Sequence, residues 1–350
     1  MPINMDDSVS TLTTANHSGQ KKRRPMNGSE KLAALVNLRA TADKFVACSM
    51  IADASRPTTM DLVASHMHAI NHCVFEAEAA GAEKAELAEM LARVRDIQAS
   101  SPFVSRLQRW PRGYAGDFET VEYLMKSVNR ADPDTVAFWI EEYCLNTAVA
   151  QQHRNKVRWQ SEQIERTINE CEKAGRAACI LMLACGSSPD VRMCLERIVD
   201  KDFQIVLSDM DAEALDFSAH RLAALGDRLK TVPGNMFRQI NKFAADGPFD
   251  LVLAGGLFDY LNDDQAAFLI KAVTSKLLAS NGKFAFTNIA KPNPYRIWME
   301  YCASWFLIER NDADFRHIFD GIGGKPEILA IQKEASGLSL LIEIQAEAKQ

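Results

Sequence analysis

The sequence predicts an α/β protein in which an N-terminal all-helical domain precedes a mostly parallel, seven-stranded sheet. Three observations support this prediction. Residues 29–172 carry apolar positions at helical spacing, the chain after Gly175 alternates short apolar runs with helical stretches, and the last two apolar runs have a hairpin pattern. Strands that alternate with helices are typical of crossover units and a parallel sheet.

The composition is that of a globular protein without a basic binding surface. Of the 350 residues, 47% are hydrophobic and 25% are charged, and the net charge is −6. Nucleic-acid surfaces need clustered Lys and Arg, so this balance predicts no nucleic-acid partner. The basic run at residues 21–24 lies in a polar leader, and we expect it to be solvated. A contact of this run with nucleic acid or anionic lipid is the alternative.

The sequence also predicts where the protein is located. No apolar stretch reaches 18 residues, and no apolar run follows the basic leader, which predicts neither a membrane span nor a secretory signal. The eight cysteines include no CxxC pair and lie mostly in apolar segments, which favours reduced thiols over a zinc site or disulfides. We therefore expect a cytoplasmic protein with no metal site, and the oligomeric state stays open.

Changes of pattern divide the chain into three segments. Residues 1–28 are predicted to be a disordered polar leader, residues 29–172 a helical lid or substrate domain, and residues 173–350 the sheet domain. Pro102 and Pro111 interrupt the helical pattern of the second segment.

The third segment contains seven apolar runs that we predict to be strands. They are residues 179–184, 203–208, 229–233, 249–254, 283–288, 327–331 and 338–344. Predicted helices cover residues 189–199, 212–225 and 263–278, and a turn joins the third strand to the fourth. The last two runs flank a short Gly-containing turn, which predicts an antiparallel hairpin at the sheet edge. Such a Rossmann-like sheet binds ligands at the carboxyl ends of its strands.

The ends of the first two strands have features of a nucleoside site. Ala184, Cys185 and Gly186 are small residues before a helix whose first N–H groups are free, although an ordinary turn is the alternative. The second strand ends at Asp209, whose carboxylate can accept hydrogen bonds from both hydroxyls of a ribose. Asp211 is the other acidic candidate, but it suits capping of the next helix better.

The ends of the third and fourth strands add to this site. Asn235 can meet the edge of an adenine ring, and Met236 or Phe237 can pack on its face. Met210 follows Asp209 directly, and Gly255 allows a close approach after the fourth strand. Because four successive strand ends carry such features in register, the sequence predicts a nucleoside cofactor.

Several motifs resemble one bacterial group of class I methyltransferases that depend on S-adenosyl-L-methionine (SAM). The group includes the enzymes that make 3-hydroxypalmitic acid methyl ester signals. The motifs are RGYAGD (112–117), HRN (153–155), LACG (183–186), SDMD (208–211), GLFDYL (256–261) and MEY (299–301) with Trp305. The resemblance covers roughly residues 100–345 and implies the class I fold, SAM as cosubstrate and a small-molecule substrate.

The resemblance also places the RGYAGD segment of the helical domain at the SAM site. Arg112, next to Gly113, is predicted to hold the methionyl carboxylate of SAM or a carboxylate of the substrate. Asp117 is predicted to bind the methionyl ammonium, and Tyr114 to close over the sulfonium. The alternative is a Gly-rich turn in which Asp117 caps the following helix.

Further catalytic candidates come from the aromatic and polar residues around this segment. Tyr260, just past the fourth strand, is the best of them, and Asn146 is weaker. His153 is expected to be a structural hydrogen-bonding residue. Core packing is expected to explain most of the other aromatic residues, which are Phe138, Trp139, Tyr143, Trp298, Tyr301 and Trp305.

Three functions remain in competition. The first is a SAM-dependent transferase that methylates oxygen or nitrogen of a small metabolite, including an acyl carboxylate, in bacterial secondary or signalling metabolism. The second is cyclisation of SAM to azetidine-2-carboxylic acid with release of methylthioadenosine, which some enzymes similar to this group perform. The third is a non-catalytic SAM sensor. The motifs HExxH, GxSxG and GxxxxGK[ST] are absent from the sequence.

Overall fold

A computed structural model describes residues 28–51, 58–323 and 325–346. The predicted leader and its basic run lie outside these residues, apart from Gly28, with which the first helix begins. The helices before the sheet are α1 (Gly28–Ile51), α2 (Thr58–Ala79), α3 (Lys84–Met90), α4 (Ala92–Gln98), α5 (Pro102–Arg109), α6 (Phe118–Lys126), α7 (Val136–Asn146) and α8 (Ala148–Lys173).

Local sequence signals explain the bounds of α5. Its cap Ser101 accepts a hydrogen bond from the N–H of Val104, and Pro102 occupies the first helical position. The helix ends at Trp110, which adopts a left-handed conformation with φ of 45°, and Pro111 follows it. Both prolines therefore interrupt the helical pattern where the sequence predicts.

The second half of the chain forms a seven-stranded sheet with the order β3-β2-β1-β4-β5-β7-β6. Its strands are β1 (Ala178–Leu183), β2 (Phe203–Asp209), β3 (Leu229–Pro233), β4 (Phe249–Ala254), β5 (Leu278–Ile289), β6 (Glu327–Lys333) and β7 (Ser339–Gln345). Neighbours among β1 to β5 are parallel, and β7 runs antiparallel to both β5 and β6. The predicted mostly parallel sheet and its terminal hairpin are confirmed.

The helices that connect the strands include two that the sequence did not predict, one between β3 and β4 and one between β5 and β6. The connecting helices are α9 (Pro189–Ile198), α10 (Ala212–Arg221), α11 (Met236–Asp246), α12 (Asp263–Ala272) and α13 (Asp312–Asp320). The predicted turn between β3 and β4 is wrong, because α11 fills this connection. Asn235 starts α11 by accepting a hydrogen bond from the N–H of Phe237, but the helix buries only Ile240 and Phe243. Met236, Phe237, Ile240 and Phe243 nevertheless recur at helical spacing, a pattern that the sequence analysis did not recognise.

Alternate residues of the strands bury opposite faces of the sheet. In β1, Ile180 and Met182 pack with apolar residues of α8, α9 and α10. Leu181 and Leu183 belong to the opposite core, which contains apolar residues of α11, α12 and α13. This alternation follows from the two-residue period of a strand. The sheet is thus covered by helices on both faces.

The helical region has its own apolar core, which a segment from the sheet half completes. Phe45 of α1, Ile70 of α2 and Phe103 of α5 belong to it, and so do Trp298 and Trp305 from the connection between β5 and α13. The interpretation that most aromatic residues here serve core packing therefore agrees with the structure. Since α8 starts against this core and continues across the sheet, it belongs to both regions. The division of the chain into domains stays a prediction.

Within the described residues, no helix is long and apolar enough to cross a membrane, and no group of three or more His, Cys, Asp or Glu side chains is arranged to hold a metal ion. All eight cysteines are free, and four of them are buried. The cytoplasmic location stays a prediction.

Candidate functional site

The order of the sheet reverses between β1 and β4, and this switch point places four strand ends together. β3, β2, β1 and β4 are consecutive neighbours and run parallel, so their carboxyl ends meet at one edge. Ligands of open α/β sheets bind in the crevice at such an edge. The residues predicted for a nucleoside lie in the loops that leave these four strands.

The loop after β1 is a tight turn with an uncommon backbone. Ala184, Gly186 and Ser188 all have left-handed conformations, with φ of 49°, 54° and 47°. Residues with a side chain pay about 1–2 kcal/mol for this conformation, and such strain is concentrated at functional sites. Cys185 is held between them by a hydrogen bond from its N–H to the carbonyl of Ser208 on β2, with an N–O distance of 3.1 Å.

Asp209 connects the turns that follow β1, β2 and β3. Its Oδ2 accepts a hydrogen bond from the N–H of Gly186 at 2.8 Å, and its Oδ1 accepts one from the N–H of Asp211 at 2.9 Å. Its carbonyl accepts a further hydrogen bond from the N–H of Gly234 at 2.8 Å. The residue is 8% exposed, and burial raises the pKa of its carboxyl. Each carboxylate oxygen can accept a second hydrogen bond, so Asp209 keeps capacity for ribose hydroxyls.

The loops after β3 and β4 differ in how closely they are packed. Asn235 uses its side-chain oxygen to cap α11, whose first residue is Met236. Gly255 lies against α8, because a Cβ atom at this position would be 2.8 Å from Oε1 of Gln160. A larger residue there would require the side chain of Gln160 to move. Met210, directly after Asp209, is 58% exposed.

The RGYAGD segment reaches the same edge of the sheet. A Cβ atom at Gly116 would lie 2.3 Å from the hydroxyl oxygen of Tyr260, which also accepts a hydrogen bond from Nε1 of Trp305 at 2.8 Å. Although 42% of Tyr260 is exposed, its hydroxyl lies in this contact, and burial raises the pKa of the group. At the other end of the segment, the hydroxyl of Tyr114 donates to Oδ2 of Asp211 at 3.2 Å. The segment therefore spans from the end of β2 to the end of β4.

Arg112 joins the segment to α10. Its Nε and Nη2 donate to the two carboxylate oxygens of Asp211 at 2.7 and 2.8 Å, and its Nη1 donates to Glu213 at 2.9 Å. These carboxylates raise the pKa of Arg112 above its ordinary value. The contacts give Arg112 a docking role between the two regions. Its predicted contact with a carboxylate of SAM stays a prediction.

Asp117 caps the helix that follows it, which is the alternative role that the sequence analysis gave for this residue. Its Oδ1 caps α6 by accepting hydrogen bonds from the N–H groups of Glu119 and Thr120, both at 3.0 Å, and forms an ion pair with Arg106 at 2.5 Å. Asp117 is 2% exposed. These contacts make it a helix cap with a partly buried cation as partner, and its predicted contact with the methionyl ammonium of SAM stays untested.

For two other predicted site residues, Asn146 and Gly113, the structure shows only local features. Asn146 is exposed at the end of α7 and donates to the carbonyl and the carboxylate of Glu142, both at 2.8 Å. Gly113 has φ of 83°, and no atom lies within 4 Å of where its Cβ would be. Their roles at the site stay predictions.

One face of α8 lies beside the end of β4, and its polar residues were not identified from the sequence. Lys156 and Asp259 form an ion pair with a distance of 3.5 Å, and both side chains are 4% exposed. Nζ of Lys156 is also 4.0 Å from the position of a Cβ at Gly256. Lys156 and Gln160 are four residues apart on the helix, so they share one face. Buried polar residues at this spacing are the signal that could have identified them.

His153 lies one turn earlier on the same face. Its ring stacks on Trp305 with a centroid distance of 5.4 Å and an interplanar angle of 26°. Burial, together with Lys156 and Arg154, lowers the pKa of His153 well below its ordinary value, and its Nε2 is buried without a hydrogen-bond partner in the described part of the chain. The ring is therefore neutral near pH 7 and supports the tryptophan that positions Tyr260.

Comparison with known proteins agrees with the sheet topology. No protein-family model and no curated protein sequence matches this chain. A solved structure of a possible exported protein from Bordetella parapertussis is 13% identical, with a TM-score of 0.52 over 92% of this chain and 100% of that one. The two proteins share a fold. A doubly wound, mostly parallel sheet that ends in an antiparallel hairpin is the arrangement of the class I methyltransferase fold.

Two further solved structures match smaller parts of the chain. Magnesium protoporphyrin IX methyltransferase from Synechocystis PCC 6803 is 12% identical, with a TM-score of 0.40 over 57% of this chain and 87% of that one. The pyocyanin biosynthetic protein PhzM is 14% identical, with a TM-score of 0.44 over 74% of this chain and 72% of that one. The narrower resemblance to enzymes of 3-hydroxypalmitic acid methyl ester formation stays a prediction.

Proposed function

We propose that this protein is a SAM-dependent transferase that methylates a small molecule at the switch point between β1 and β4. The observation that carries the proposal is Asp209. It ends β2 at the edge where class I folds bind their ligand, and it fixes the turn of Gly186 through a 2.8 Å hydrogen bond while keeping acceptor capacity. An acidic residue in this position suits a ribose with two free hydroxyls.

The other loops at this edge suit the remaining parts of the nucleoside. The turn of Ala184, Cys185 and Gly186 brings backbone rather than bulky side chains to the ligand, as close approach requires. Asn235 keeps its amide donors for the edge of an adenine ring, since only its oxygen is used in capping α11. Met236 follows it and offers an apolar side chain to the ring.

For the methionyl end of SAM, Lys156 is a better candidate than Arg112. The guanidinium of Arg112 is already bonded to two protein carboxylates. The ammonium of Lys156 has three donors, is almost fully buried beside Gly256, and has an ion-pair distance of 3.5 Å to Asp259. A buried cation that can accept a further partner is suited to the carboxylate of an amino acid.

Tyr260 and the RGYAGD segment are proposed to close the site over the reacting atoms. Because Trp305 donates to the hydroxyl oxygen of Tyr260, the tyrosine proton remains available for donation. The faces of Tyr260 and Tyr114 are electron-rich and favour a neighbouring positive charge such as a sulfonium.

When bound, SAM supplies a methyl group that the positive sulfur already activates. The residues of the chain need to bind, orient the acceptor and exclude water. A carboxylate acceptor needs no general base, which agrees with an acyl carboxylate as one substrate class. That class rests on the resemblance, and amine or hydroxyl acceptors are the other possibilities within the proposal.

The direct test is product analysis with the purified full-length protein. The protein is incubated with SAM, with and without a panel of acyl, amine and phenol acceptors, and the products are identified by mass spectrometry. We expect S-adenosylhomocysteine together with one methylated acceptor. Methylthioadenosine formed from SAM alone, above its spontaneous rate, would instead show cyclisation of SAM. Binding of SAM with no product under any condition would favour a sensor.

A further inference from the structure

A groove on the outer side of the sheet domain lies apart from the proposed SAM site. It runs between α11, α12 and the turn after α12, with a volume of about 430 Å³. Its lining residues are Phe237, Arg238, Ile240, Asn241, Phe268, Lys271, Ala272, Ser275 and Lys276. Among these lining residues, Phe237 is the one that the sequence analysis also assigned to the nucleoside site. The groove has the volume of a small-molecule site, for which about 300–1,000 Å³ is usual.

All charged side chains that line the groove are positive. Arg238 on α11, Lys271 on α12 and Lys276 in the following turn are its three charged lining residues. Among the described residues, none of the three has a carboxylate within ion-pair distance. Three cations from separate positions therefore share one groove in a chain with a net charge of −6. Such a concentration of positive charge raises the local density of anions.

The floor and wall of the groove are apolar. Ile240 and Ala272 are each 6% exposed and form part of the sheet-domain core. Above them, the ring of Phe268 is 54% exposed and lies 5.9 Å from the ring of Phe237, with an interplanar angle of 54°. A ligand with a flat apolar body would cover Phe268 and remove that ring from water, which is favourable.

We propose that this groove binds a small aromatic anion, namely a flat apolar body that carries a sulfonate, carboxylate or phosphate group. The ring system packs against Phe268 and Phe237, and the anionic group pairs with Lys271, Lys276 or Arg238. Neither feature alone suffices, because exposed lysines attract any anion and exposed phenylalanines any apolar group. Their combination in one concave site selects a ligand that has both properties. This inference is independent of the proposed transferase activity.

The test uses 8-anilinonaphthalene-1-sulfonate as the probe and its uncharged analogue N-phenyl-1-naphthylamine as the comparison. Fluorescence titrations are made with the full-length protein, with S-adenosylhomocysteine present so that the strand-end site is blocked. We expect saturable binding of one sulfonate per chain and at least about tenfold weaker binding of the uncharged analogue, since a lost charge-assisted hydrogen bond is worth a factor of this order.

Two variants and a control locate the probe. The double variant Lys271→Glu, Lys276→Glu is expected to weaken sulfonate binding at least about tenfold, and Phe268→Ser is expected to weaken both probes. Lys242→Glu is the control, because Lys242 is exposed on α11 but does not line the groove. All four positions are exposed, and thermal unfolding curves confirm that the variants fold. Equal loss of binding in Lys242→Glu, or wild-type binding in the double variant, would overturn the proposal.

Discussion

Asp209 shows how much one residue can contribute to the organisation of this site. Its carboxylate and carbonyl hold the turns after β1, β2 and β3 together, and burial raises the pKa of the carboxyl. Unpaired buried carboxylates are costly, so a protein keeps one at a loop junction only when hydrogen bonds compensate it. Here two backbone N–H groups do so, and the remaining acceptor capacity is what the proposed function uses.

Lys156 allows a test of the methionyl end of the site. Replacing Lys156 with Met is expected to weaken S-adenosylhomocysteine binding about 10–150-fold, the range for a lost charged hydrogen bond of about 1.5–3 kcal/mol. The affinity for methylthioadenosine, which lacks the amino acid carboxylate, is expected to change less than about twofold. Isothermal titration calorimetry with both ligands measures the difference.

Two further variants make this comparison interpretable. Lys156→Met leaves the carboxylate of Asp259 buried without its cation, which destabilises a fold, and the paired variant Lys156→Met, Asp259→Asn removes both charges. Arg158→Met is the control, since Arg158 is exposed on the same helix. An equal loss of affinity for both ligands would contradict the assignment of Lys156 to the carboxylate.

Some residues of this site could be predicted from the sequence, and others could not. Gly186 and Asp209 could be predicted because Gly186 lies in the turn after β1 and Asp209 ends β2, and strand ends are recognisable from apolar runs. Lys156 and Asp259 could not be paired, because they are far apart in sequence and meet only through the packing of α8 on the sheet. Arg112 was recognised as important, but its partners Asp211 and Glu213 depend on how the helical region docks.

At the scale of elements, the RGYAGD segment links the helical region to two strand ends. Arg112 and Tyr114 contact the start of α10, whereas Gly116 contacts Tyr260 after β4. Asp117 then starts α6 as its cap. A segment with two left-handed glycines can make these contacts within six residues, because each glycine permits a turn that other residues resist.

Gly116 and Gly113 form a matched pair for testing this contact. Both have positive φ, but only at Gly116 would a Cβ atom collide with the hydroxyl of Tyr260, at 2.3 Å. We expect Gly113→Ala to cost about 1–2 kcal/mol for its conformation alone. Gly116→Ala is expected to cost about 1–3 kcal/mol more, the range for overpacking. Urea denaturation measures both free energies of unfolding.

A third variant identifies the partner in the collision. Gly116→Ala combined with Tyr260→Phe removes the hydroxyl oxygen and is expected to recover most of the additional loss. If Gly113→Ala and Gly116→Ala are equally unstable, the close approach between the segment and Tyr260 does not exist in solution.

For the whole molecule, the fold was more predictable than the way its regions join. Six of the seven strands agree with their predicted apolar runs to within about two residues. For β1, β2, β4 and β7 the reason is that strands buried on both faces are continuous apolar runs. β5 begins earlier than predicted, at Leu278, because the polar residues Ser280 and Asn281 and then Gly282 interrupt its apolar run. Helices α11 and α13 were missed, although apolar residues recur at helical spacing in both. The apolar core that joins residues 297–305 to the helical region has no counterpart in any local pattern.

The pH dependence of stability provides a test of the turn after β1. Burial raises the pKa of Asp190 to about 6, above the value of about 3.9 for an unfolded chain. The unfolded state therefore ionises more easily, so the stability linked to this group is present below about pH 4 and is lost as the pH rises through about 6. At pH 7.5 we expect Asp190→Asn to be more stable than the wild type, by up to about 2–3 kcal/mol.

Thermal and urea unfolding at pH 4 and pH 7.5 measure this effect. The advantage of Asp190→Asn is expected to fall to about 0.5 kcal/mol at pH 4, where the folded carboxyl is protonated and the unfolded one is about half protonated. Asp200→Asn, at an exposed position near the end of the same connection, serves as the control. A variant that is less stable than the wild type at pH 7.5 would mean that the Asp190 carboxylate has a stabilising partner.

The measurement that tests the central claim most directly is the binding of S-adenosylhomocysteine to the wild type and to Asp209→Asn by isothermal titration calorimetry. Asp216→Asn, an exposed change on α10, is the control. We predict one site per chain with a Kd below about 100 μM in the wild type and in the control, within the range usual for enzyme substrates. Asp209→Asn is predicted to bind at least about tenfold more weakly, because the ribose loses a charged acceptor. No binding by the wild type, or equal binding by the wild type and Asp209→Asn, would contradict a SAM site at the carboxyl end of β2.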